Sequence, residues 1–322
     1  MRKLPRIIFN TWSGAFFNPG GGEVQLLETK RALGAKGYSI DLYNQWAPQR
    51  DFDILHQFSI QLGVNYVVNE YRRLEKKIAL STILWDLPEK NSFAYFQMRE
   101  LFLKSDILLT NSDMESDKIA LAFDIPREKF FKTRNSISDA FLTDGDPALF
   151  RQKYSIEGNF VLSVANIDRR KNTLALIKAC EQLGISLVLI GAIRDQEYFQ
   201  ECQKTGAKFT YLGPITNQEL LKAAYKACKV FALPSLCETP SIAALEAGSQ
   251  GATIVITSEG STKEYFDAHA IYVDPFDVMN IASGIGSALQ KNTSSTLSRH
   301  IRVNYSWGNT ADDIIYAYGK LF

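Results

Sequence analysis

The chain has 322 residues and a formal net charge of +1, with 36 lysines and arginines against 35 acidic residues. A hydrophobic content of 46% and a charged content of 22% are typical of a globular protein, and the length suffices for two domains. The charge balance argues against nucleic acid as a partner, because no global positive field attracts a polyanion. The four cysteines form no CxxC pair, which argues against a zinc or redox site and fits a reducing cytoplasm.

The sequence shows no hydrophobic stretch of the kind that crosses or enters a membrane. No apolar run reaches the roughly 20 residues of a membrane span, and the run after Met1 is too short for a signal peptide. We therefore expect a cytoplasmic protein, with any membrane contact peripheral and at the inner face. The basic cluster from Arg72 to Lys77 is one candidate for that contact. The alternative is a solvated helix face, because Glu70 and Glu75 dilute the charge.

The first half of the chain alternates short apolar runs with helical patterns. A strand at 6–10, a helix at 23–36 and a strand at 38–43, with a glycine-rich loop after the first, predict a doubly wound βαβ beginning. Gly21 and Gly22 in that loop let backbone amides approach a ligand closely, although a flexible loop is the alternative. The absence of a GxGxxG motif argues against a dinucleotide site.

Two polar residues are predicted at the ends of strands in this half. A strand at 53–56 is expected to end at His56, and a strand at 78–86 is expected to run into Asp86. Carboxyl ends of parallel strands line the ligand crevice of an open sheet, so both residues are candidate catalytic groups. Asp86 would act as a general base for an acceptor hydroxyl, or would only bind it. The alternatives are a structural histidine and a turn-forming aspartate.

A second βαβ pattern begins at residue 159. A strand at 159–165 leads into a loop with three consecutive cations, Arg169, Arg170 and Lys171, before a helix at 173–183. Beside a diphosphate these cations would offset negative charge, whereas in isolation they would only be solvated. The pattern continues with strands predicted at 185–191, 208–215 and 229–233 and a helix predicted at 217–228.

The stretch ALPSLCETPSIAALEA carries the strongest functional signal. Thr239 suits an N-cap and Pro240 the first helical position, so a helix is predicted from Ser241 onward. The amides at a helix start bind anions, above all phosphate. Glu238 and Glu246 lie before and inside this start, and carboxylates accept hydrogen bonds from hydroxyl groups. An anion flanked by polyols describes a nucleotide sugar; the alternative is an ordinary strand-turn-helix unit with two surface glutamates.

This stretch, followed by GATIVITSEG, Glu264 and YVDP, resembles the donor half of family-4 glycosyltransferases of the GT-B fold. The resemblance covers nearly the whole chain and implies an α/β protein with two Rossmann-like, doubly wound parallel-sheet domains that face each other across a cleft. The implied organisation is an acceptor-side domain at 1–145, a nucleotide-sugar-binding domain at 146–304 and a closing helix at 305–322 that crosses back onto the first domain.

The same resemblance implies an activity. The protein would move a hexosyl-type sugar from a nucleotide diphosphate sugar to a hydroxyl of a glycan or lipid-linked glycan, as in polysaccharide biosynthesis. The transfer would retain anomeric configuration and need neither a metal ion nor a cofactor. A catalytic set is implied at Glu238, Asp86 and His56. The implied donor-binding residues are Gly21, Gly22, Arg169, Lys171, Gly213, Pro214, Ile215, Thr239, Pro240, Ser241, Ile242 and Glu246.

Two positions depart from the family pattern. Trp85 stands where relatives often have a histidine, and Asn166 stands in place of an arginine whose charge Arg169 or Arg170 would supply. These departures leave two alternatives to a glycosyltransferase. One is a non-catalytic GT-B protein that binds a sugar nucleotide or a partner enzyme, and the other is a sugar-nucleotide epimerase. The retained acidic residues and lysine argue against the first, and the extra acidic and histidine side chains of the second are not evident.

Overall fold

The computed structural model describes residues 4–17, 19–61, 63–84, 86–291 and 295–322. The chain divides into two compact units, one formed by residues 1–135 and 307–322 and the other by residues 136–306. Each unit contains a six-stranded parallel sheet with helices in the connections between strands. The expected α/β class with two doubly wound parallel sheets is therefore confirmed.

The first unit begins with the predicted βαβ arrangement. Its strands are β1 Arg6–Asn10, β2 Ser39–Leu42, β3 Ile54–Phe58, β4 Lys77–Ser81, β5 Ile107–Thr110 and β6 Phe130–Lys132. The helices of this unit that precede the second unit in the chain are α1 Gly21–Ala35, α2 Val64–Arg73, α3 Phe93–Lys104 and α4 Asp113–Phe123. The strand order is β2-β1-β3-β4-β5-β6, with every pairing parallel. Strand residues such as Leu55, Leu80 and Leu108 are fully buried, as expected for a sheet covered on both faces.

The second unit repeats this architecture with a different strand order. Its strands are β7 Phe160–Val164, β8 Ser186–Ile190, β9 Thr210–Tyr211, β10 Val230–Leu233, β11 Thr253–Thr257 and β12 Ile271–Val273. Its helices are α5 Pro147–Tyr154, α6 Thr173–Leu183, α7 Gln196–Gln203, α8 Gln218–Ala227, α9 Ile242–Ser249, α10 Thr262–Phe266, α11 Val278–Gln290 and α12 Ser295–Asn304. The order is β12-β11-β10-β7-β8-β9.

The last helix belongs to the first unit, and the segment after residue 135 belongs to the second. The closing helix α13, Trp307–Tyr318, belongs to the first unit, where Asp313 accepts hydrogen bonds from the Arg134 guanidinium at 2.8 Å. The segment 136–145 packs with the second unit. There the Phe141 carbonyl accepts from the Ser249 hydroxyl at 3.2 Å, and the Gly145 amide donates to a side chain of that unit at 2.9 Å.

Several element boundaries differ from the sequence-based expectations. Strand β3 continues past His56 to Phe58, and β4 ends at Ser81, well before Asp86. After β4 the chain is held by α4 instead, because the Glu115 carboxylate accepts from the Thr82 hydroxyl at 2.5 Å and from the Leu84 amide at 2.9 Å. Helix α1 begins at Gly21 rather than at residue 23, because the Glu23 carboxylate accepts from the Gly20 amide at 2.7 Å and caps the first turn.

Candidate functional site in the second unit

Each sheet reverses its strand order once. In the first unit β1 lies between β2 and β3, and in the second unit β7 lies between β10 and β8. At such a switch point the loops that follow the two adjoining strands lead away in opposite directions and leave a ligand-binding crevice at the carboxyl edge. In the second unit these loops are residues 165–172 after β7 and residues 234–241 after β10. The predicted cations and the first predicted glutamate lie on these two loops.

Glu238 and Lys171 form a buried ion pair between the two loops. Lys171 Nζ donates to Glu238 Oε1, and Ser235 Oγ donates to the same oxygen at 2.9 Å. The Glu238 side chain is 1% exposed and that of Lys171 is 13% exposed. Burial lowers the pKa of Lys171, and the Glu238 carboxylate opposes that shift. The second carboxylate oxygen, Glu238 Oε2, is buried and has no hydrogen-bond partner among the described residues.

Backbone and side-chain hydrogen bonds hold the two loops together. The Leu236 amide donates to the Arg170 carbonyl at 2.8 Å. The Asn172 side-chain amide donates to the Pro234 carbonyl at 3.1 Å. These contacts are made by the residues directly before and after Lys171, so Lys171 is held close to the segment that carries Glu238.

A glycine allows a third segment to close on Glu238. The Glu238 amide donates to the Glu259 carbonyl at 3.1 Å, and the Glu238 carbonyl accepts from the Ser261 amide at 2.9 Å. Gly260, between these partners, has φ +94°, and a Cβ built on it would lie 1.9 Å from the Glu238 carbonyl oxygen. A larger residue would therefore push the Glu238 backbone away.

Substituting Gly260 by alanine is expected to displace Glu238. The free energy of unfolding should fall by about 2 kcal/mol more than in Gly251→Ala, which has a similar φ of +88° but no atom within 4 Å of its Cβ. The control carries only the cost of a left-handed φ, about 1–2 kcal/mol. Urea unfolding of both variants measures the difference. Equal losses would show that the close approach to Glu238 contributes nothing.

The two arginines of the β7 loop face different partners. Arg169 pairs with Glu201 and lies 3.6 Å from Asp195, both on or next to α7. Arg170 Nη1 instead lies 3.8 Å from Glu238 Oε1. Of the two arginines that the sequence offered to supply a missing positive charge, Arg170 is therefore the one beside Glu238.

A further guanidinium, which the sequence analysis missed, lies beside Asn166. With its amide oxygen facing Arg194, Asn166 accepts from Nε and Nη2 at 2.9 and 3.2 Å. Gly191 brings the two loops together, because a Cβ there would lie 1.9 Å from the Ala165 carbonyl oxygen. Arg194 follows β8 rather than β7, so only the glycine directly after the strand indicated this approach in the sequence.

Helix α9 begins later than predicted. Its N-cap is Ser241, whose Oγ accepts from the Ala244 amide at 3.3 Å, and its first residue is Ile242. The prediction that Thr239 caps the helix and Pro240 opens it was wrong, because the chain turns into the helix only at Ser241, which has φ +60°. The start of α9 still follows the loop that carries Glu238, so its first amides point toward that end of the sheet.

The remaining donor-side residues lie on neighbouring elements. Glu246 is half-buried on α9, and its Oε2 accepts from the Tyr225 hydroxyl at 3.0 Å. Strand β9 ends at Tyr211, short of the predicted end at Ile215. The Gly213 carbonyl accepts from the amide of the residue that directly follows β8 at 3.0 Å. The predicted base-binding segment, residues 213–215, therefore joins the β8 loop at the same edge of the sheet.

The candidate site residues of the first unit differ in their exposure to solvent. Gly21 and Gly22 form the first turn of α1. Asp86 is exposed, and Trp85, which stands in place of the family's histidine, lies outside the described residues. His56 is fully buried within β3, where Nδ1 lies 2.7 Å from the Tyr318 hydroxyl and Nε2 lies 2.8 Å from the Ser81 hydroxyl. These contacts favour the structural alternative for His56, because both ring nitrogens are engaged away from solvent.

Acid titration of His56 is expected to test that placement. Burial lowers its pKa to about 3. Between about pH 6.5 and 3 the unfolded chain binds a proton that the folded chain does not, so stability falls with falling pH by up to about 1.4 kcal/mol per unit. By NMR the imidazole signal of His56, assigned by its loss in His56→Gln, should keep its neutral shift down to pH 5. A titration midpoint near 6.5 would show that the ring is accessible.

Both arginines of the basic cluster at the end of α2 are paired with acidic side chains. Arg72 binds Asp106 at 2.8 Å, and Arg73 binds Glu70 at 2.6 Å. Lys77 lies outside α2, as the first residue of β4. This pairing favours the solvated-face alternative. In the described ranges no helix is long and apolar enough to cross a membrane, and no three His, Cys, Asp or Glu side chains are grouped to hold a metal ion.

The residues of this site lie in a segment of the chain that is similar to a known protein family. Residues 148–305 match the family described as glycosyl transferases group 1. The matched residues lie in the second unit, whose sequence is therefore similar to that of group 1 glycosyltransferases. The matched residues include both loops at the switch point and all of α9, so the ion pair and Glu246 lie inside the region of similarity.

Two curated relatives extend the similarity. The chain is 26% identical over 254 residues to the serotype-specific mannosyltransferase WbdA of Escherichia coli, covering 71% of this chain and 31% of WbdA. It is 26% identical over 230 residues to an uncharacterized glycosyltransferase of Methanocaldococcus jannaschii, covering 66% of this chain and 59% of that relative. The chain thus matches about a third of the length of WbdA.

Solved structures support the fold. HepE of Anabaena, solved in complex with UDP-glucose, is similar with a TM-score of 0.80 at 16% identity, covering 98% of this chain and 100% of HepE. A sucrose-phosphate synthase of Thermosynechococcus elongatus is similar with a TM-score of 0.82 at 15% identity, covering 98% and 99%. The expected GT-B fold class is therefore confirmed.

Proposed function

We propose that the protein transfers a sugar from a nucleoside diphosphate sugar to an acceptor hydroxyl, with the donor bound at the switch point of the second unit. One observation carries the proposal. A buried carboxylate, Glu238, is held on one oxygen by Lys171 while its other oxygen lacks a partner among the described residues. The match of this unit to group 1 glycosyltransferases supports it.

The energetics of Glu238 favour a polar ligand. Leaving a buried acceptor unsatisfied costs about 1–3 kcal/mol, and more for a charged group. Such exceptions in folded proteins call for an explanation, and a ligand that binds at the unsatisfied atom supplies one. A hydroxyl of the donor sugar would donate to Oε2, while Lys171 on Oε1 holds the carboxylate in a fixed orientation.

The diphosphate would lie between the cations and α9. Lys171 and Arg170 would offset the charge of the leaving phosphate, and the amides at the start of α9 would contribute their dipoles. Arg194, held by Asn166, is a further cation at this edge of the sheet. Together they would replace the arginine that the resemblance leads one to expect at position 166.

Donor binding would require a local movement. Glu238 is 1% exposed, so a sugar hydroxyl reaches Oε2 only when the β10 loop shifts. The loop ends at Ser241, whose positive φ is a strained conformation for a residue with a side chain. Amide hydrogen exchange of residues 236–241 would report this movement, with protection rising when the donor binds.

Other roles follow the resemblance to family-4 enzymes. Glu246 would hold the ribose, residues 213–215 would meet the base, and the amides of Gly21 and Gly22 would approach the diphosphate or acceptor. Asp86 would bind or deprotonate the acceptor hydroxyl on a glycan or lipid-linked glycan. The transfer would retain anomeric configuration without a metal ion, at the cytoplasmic face of a membrane or in the cytoplasm. A leaving phosphate that itself helps deprotonate the acceptor would tolerate a tryptophan in place of the histidine.

Binding measurements can identify which sugar and which nucleobase the donor carries. WbdA is a mannosyltransferase and HepE was solved with UDP-glucose, so glucosyl and mannosyl donors are the first probes. The measurement is the thermal unfolding temperature of the protein in the presence of UDP, GDP, ADP and TDP sugars. A donor that binds only the native state at 100 times its Kd stabilises the protein by about 2.7 kcal/mol.

Product release separates the proposed activity from its alternatives. A glycosyltransferase releases nucleoside diphosphate at a rate that rises with acceptor. A non-catalytic sugar-nucleotide-binding protein shows the thermal shift but no release with any acceptor of a glycan panel. An epimerase converts the donor sugar without any acceptor, which NMR of the recovered nucleotide sugar would detect. Absence of both binding and release would overturn the proposal.

A further inference from the structure

We propose that Tyr225 is a positioning residue for the nucleotide, because its buried hydroxyl fixes the Glu246 carboxylate in the orientation that accepts hydrogen bonds from ribose hydroxyls. The inference rests on the proposed function and adds a residue that the sequence pattern did not indicate. Tyr225 lies on α8, on a different element from every residue predicted to bind the donor.

The geometry makes Tyr225 a rigid support. Its side chain is fully buried, with the ring packed against Phe141 and Phe231 at centroid distances of 5.9 and 6.0 Å. From this apolar position the hydroxyl reaches Glu246 Oε2 at 3.0 Å. Glu246 is only half-buried, so the contact joins the core to a partly exposed carboxylate.

The phenol is a permanent donor. Burial, followed by the nearby Glu246 carboxylate, raises the pKa of Tyr225 well above its usual value of 10.0, so the hydroxyl keeps its proton at any pH at which the protein functions. A glutamate side chain has several rotatable bonds, and ordering it on binding would reduce affinity. The Tyr225 hydrogen bond orders it during folding instead, which is the general advantage of a preorganised site.

A purely structural role is the competing explanation. A buried tyrosine hydroxyl usually has a hydrogen-bond partner, and Glu246 would serve as one without any ligand. The two explanations differ in what removal of the hydroxyl does. A structural contact affects stability alone, whereas a positioning contact affects affinity only for ligands that carry ribose hydroxyls.

The test compares Tyr225→Phe with Tyr95→Phe. Tyr95 is also buried and its hydroxyl donates to the Ala122 carbonyl at 3.2 Å, but it belongs to the first unit. Calorimetry would measure binding of UDP and GDP and of their 2′,3′-dideoxy forms to each chain. We expect Tyr225→Phe to lower the affinity for whichever of UDP and GDP binds by about tenfold, because the hydrogen bond that orients the Glu246 carboxylate is lost. Dideoxynucleotide affinity should be unchanged, and Tyr95→Phe should alter neither.

A second variant checks that Tyr225 acts through Glu246. Tyr225→Phe in the Glu246→Ala background should cause no further loss. The positioning role is overturned if Tyr225→Phe binds the nucleotide with wild-type affinity, or if its affinities for the ribonucleotide and the dideoxynucleotide fall equally. The proposed function stands in both cases. If the wild type binds no nucleoside diphosphate or its sugar, the proposed function fails first and this inference fails with it.

Discussion

Glu238→Gln is expected to reduce sugar transfer at least about 100-fold, because the substitution removes the charge that orients the donor sugar while preserving the shape of the side chain. The amide can still occupy the position beside Lys171 and Ser235. The rate of nucleoside diphosphate release with saturating acceptor measures the effect.

The matched control is Glu259→Gln. Glu259 is exposed and its backbone carbonyl accepts from the Glu238 amide, so the control changes a carboxylate of the adjoining segment without touching the ion pair. Transfer by the control should stay within about twofold of the wild type, as surface substitutions usually have small effects. Wild-type transfer by Glu238→Gln would end the assignment of a sugar-binding role to this residue.

Lys171→Met is expected to be among the most destabilising single substitutions in the second unit. It leaves the Glu238 carboxylate 1% exposed without its cation, and breaking a buried ion pair in this way costs about 3–5 kcal/mol. Arg170 at 3.8 Å recovers only part of that loss, because it is not within hydrogen-bond distance of Oε1. Urea unfolding at neutral pH measures the change.

The double variant Lys171→Met/Glu238→Gln separates stability from function. Replacing both charges removes the unpaired carboxylate, so most of the lost stability should return, while transfer should remain as low as in Glu238→Gln. A double variant as unstable as Lys171→Met would show that the destabilisation comes from lost packing of the lysine side chain. Recovery of transfer in the double variant would show that the ion pair is only structural.

Elements with strong local signals were predictable from the sequence. The helix at 173–183 was predicted with the bounds observed for α6. The reason is visible at its end, where Gly184 adopts the left-handed conformation that ends many helices. Helix α3 was not predicted, although Ser92 caps it and accepts from the Tyr95 amide. Its apolar residues surround the helix instead of forming a clear stripe, because both exposed and buried aromatics lie on it.

The sequence named candidate residues for the site but not the contacts between them. Glu238 and Glu246, around a predicted helix start, were candidates for binding a nucleotide sugar, with an ordinary strand-turn-helix unit as the alternative. The ion pair of Glu238 with Lys171 joins loops after two different strands, and the support of Glu246 by Tyr225 joins two helices. Both depend on strand order and helix packing, which local patterns do not encode.

Two of the predictions that the structure corrects have one origin. Thr239 was predicted as the cap because it precedes a proline, and His56 was predicted at a strand end because its apolar run stops there. In the structure the hydroxyl of Ser241 makes the cap, and His56 is satisfied inside the sheet by a tyrosine from the closing helix. In each case a tertiary or neighbouring contact outweighed the local preference.

A crystal structure with the nucleoside diphosphate that gives the largest thermal shift tests the central claim most directly. We predict diphosphate oxygens within about 3 Å of the amides at the start of α9 and of a cation of the β7 loop, with the ribose at Glu246. With the intact sugar nucleotide, a sugar hydroxyl should donate to Glu238 Oε2. A nucleotide bound away from the β7–β10 switch point, with Glu238 still buried against Lys171 and Oε2 unchanged, would contradict the account.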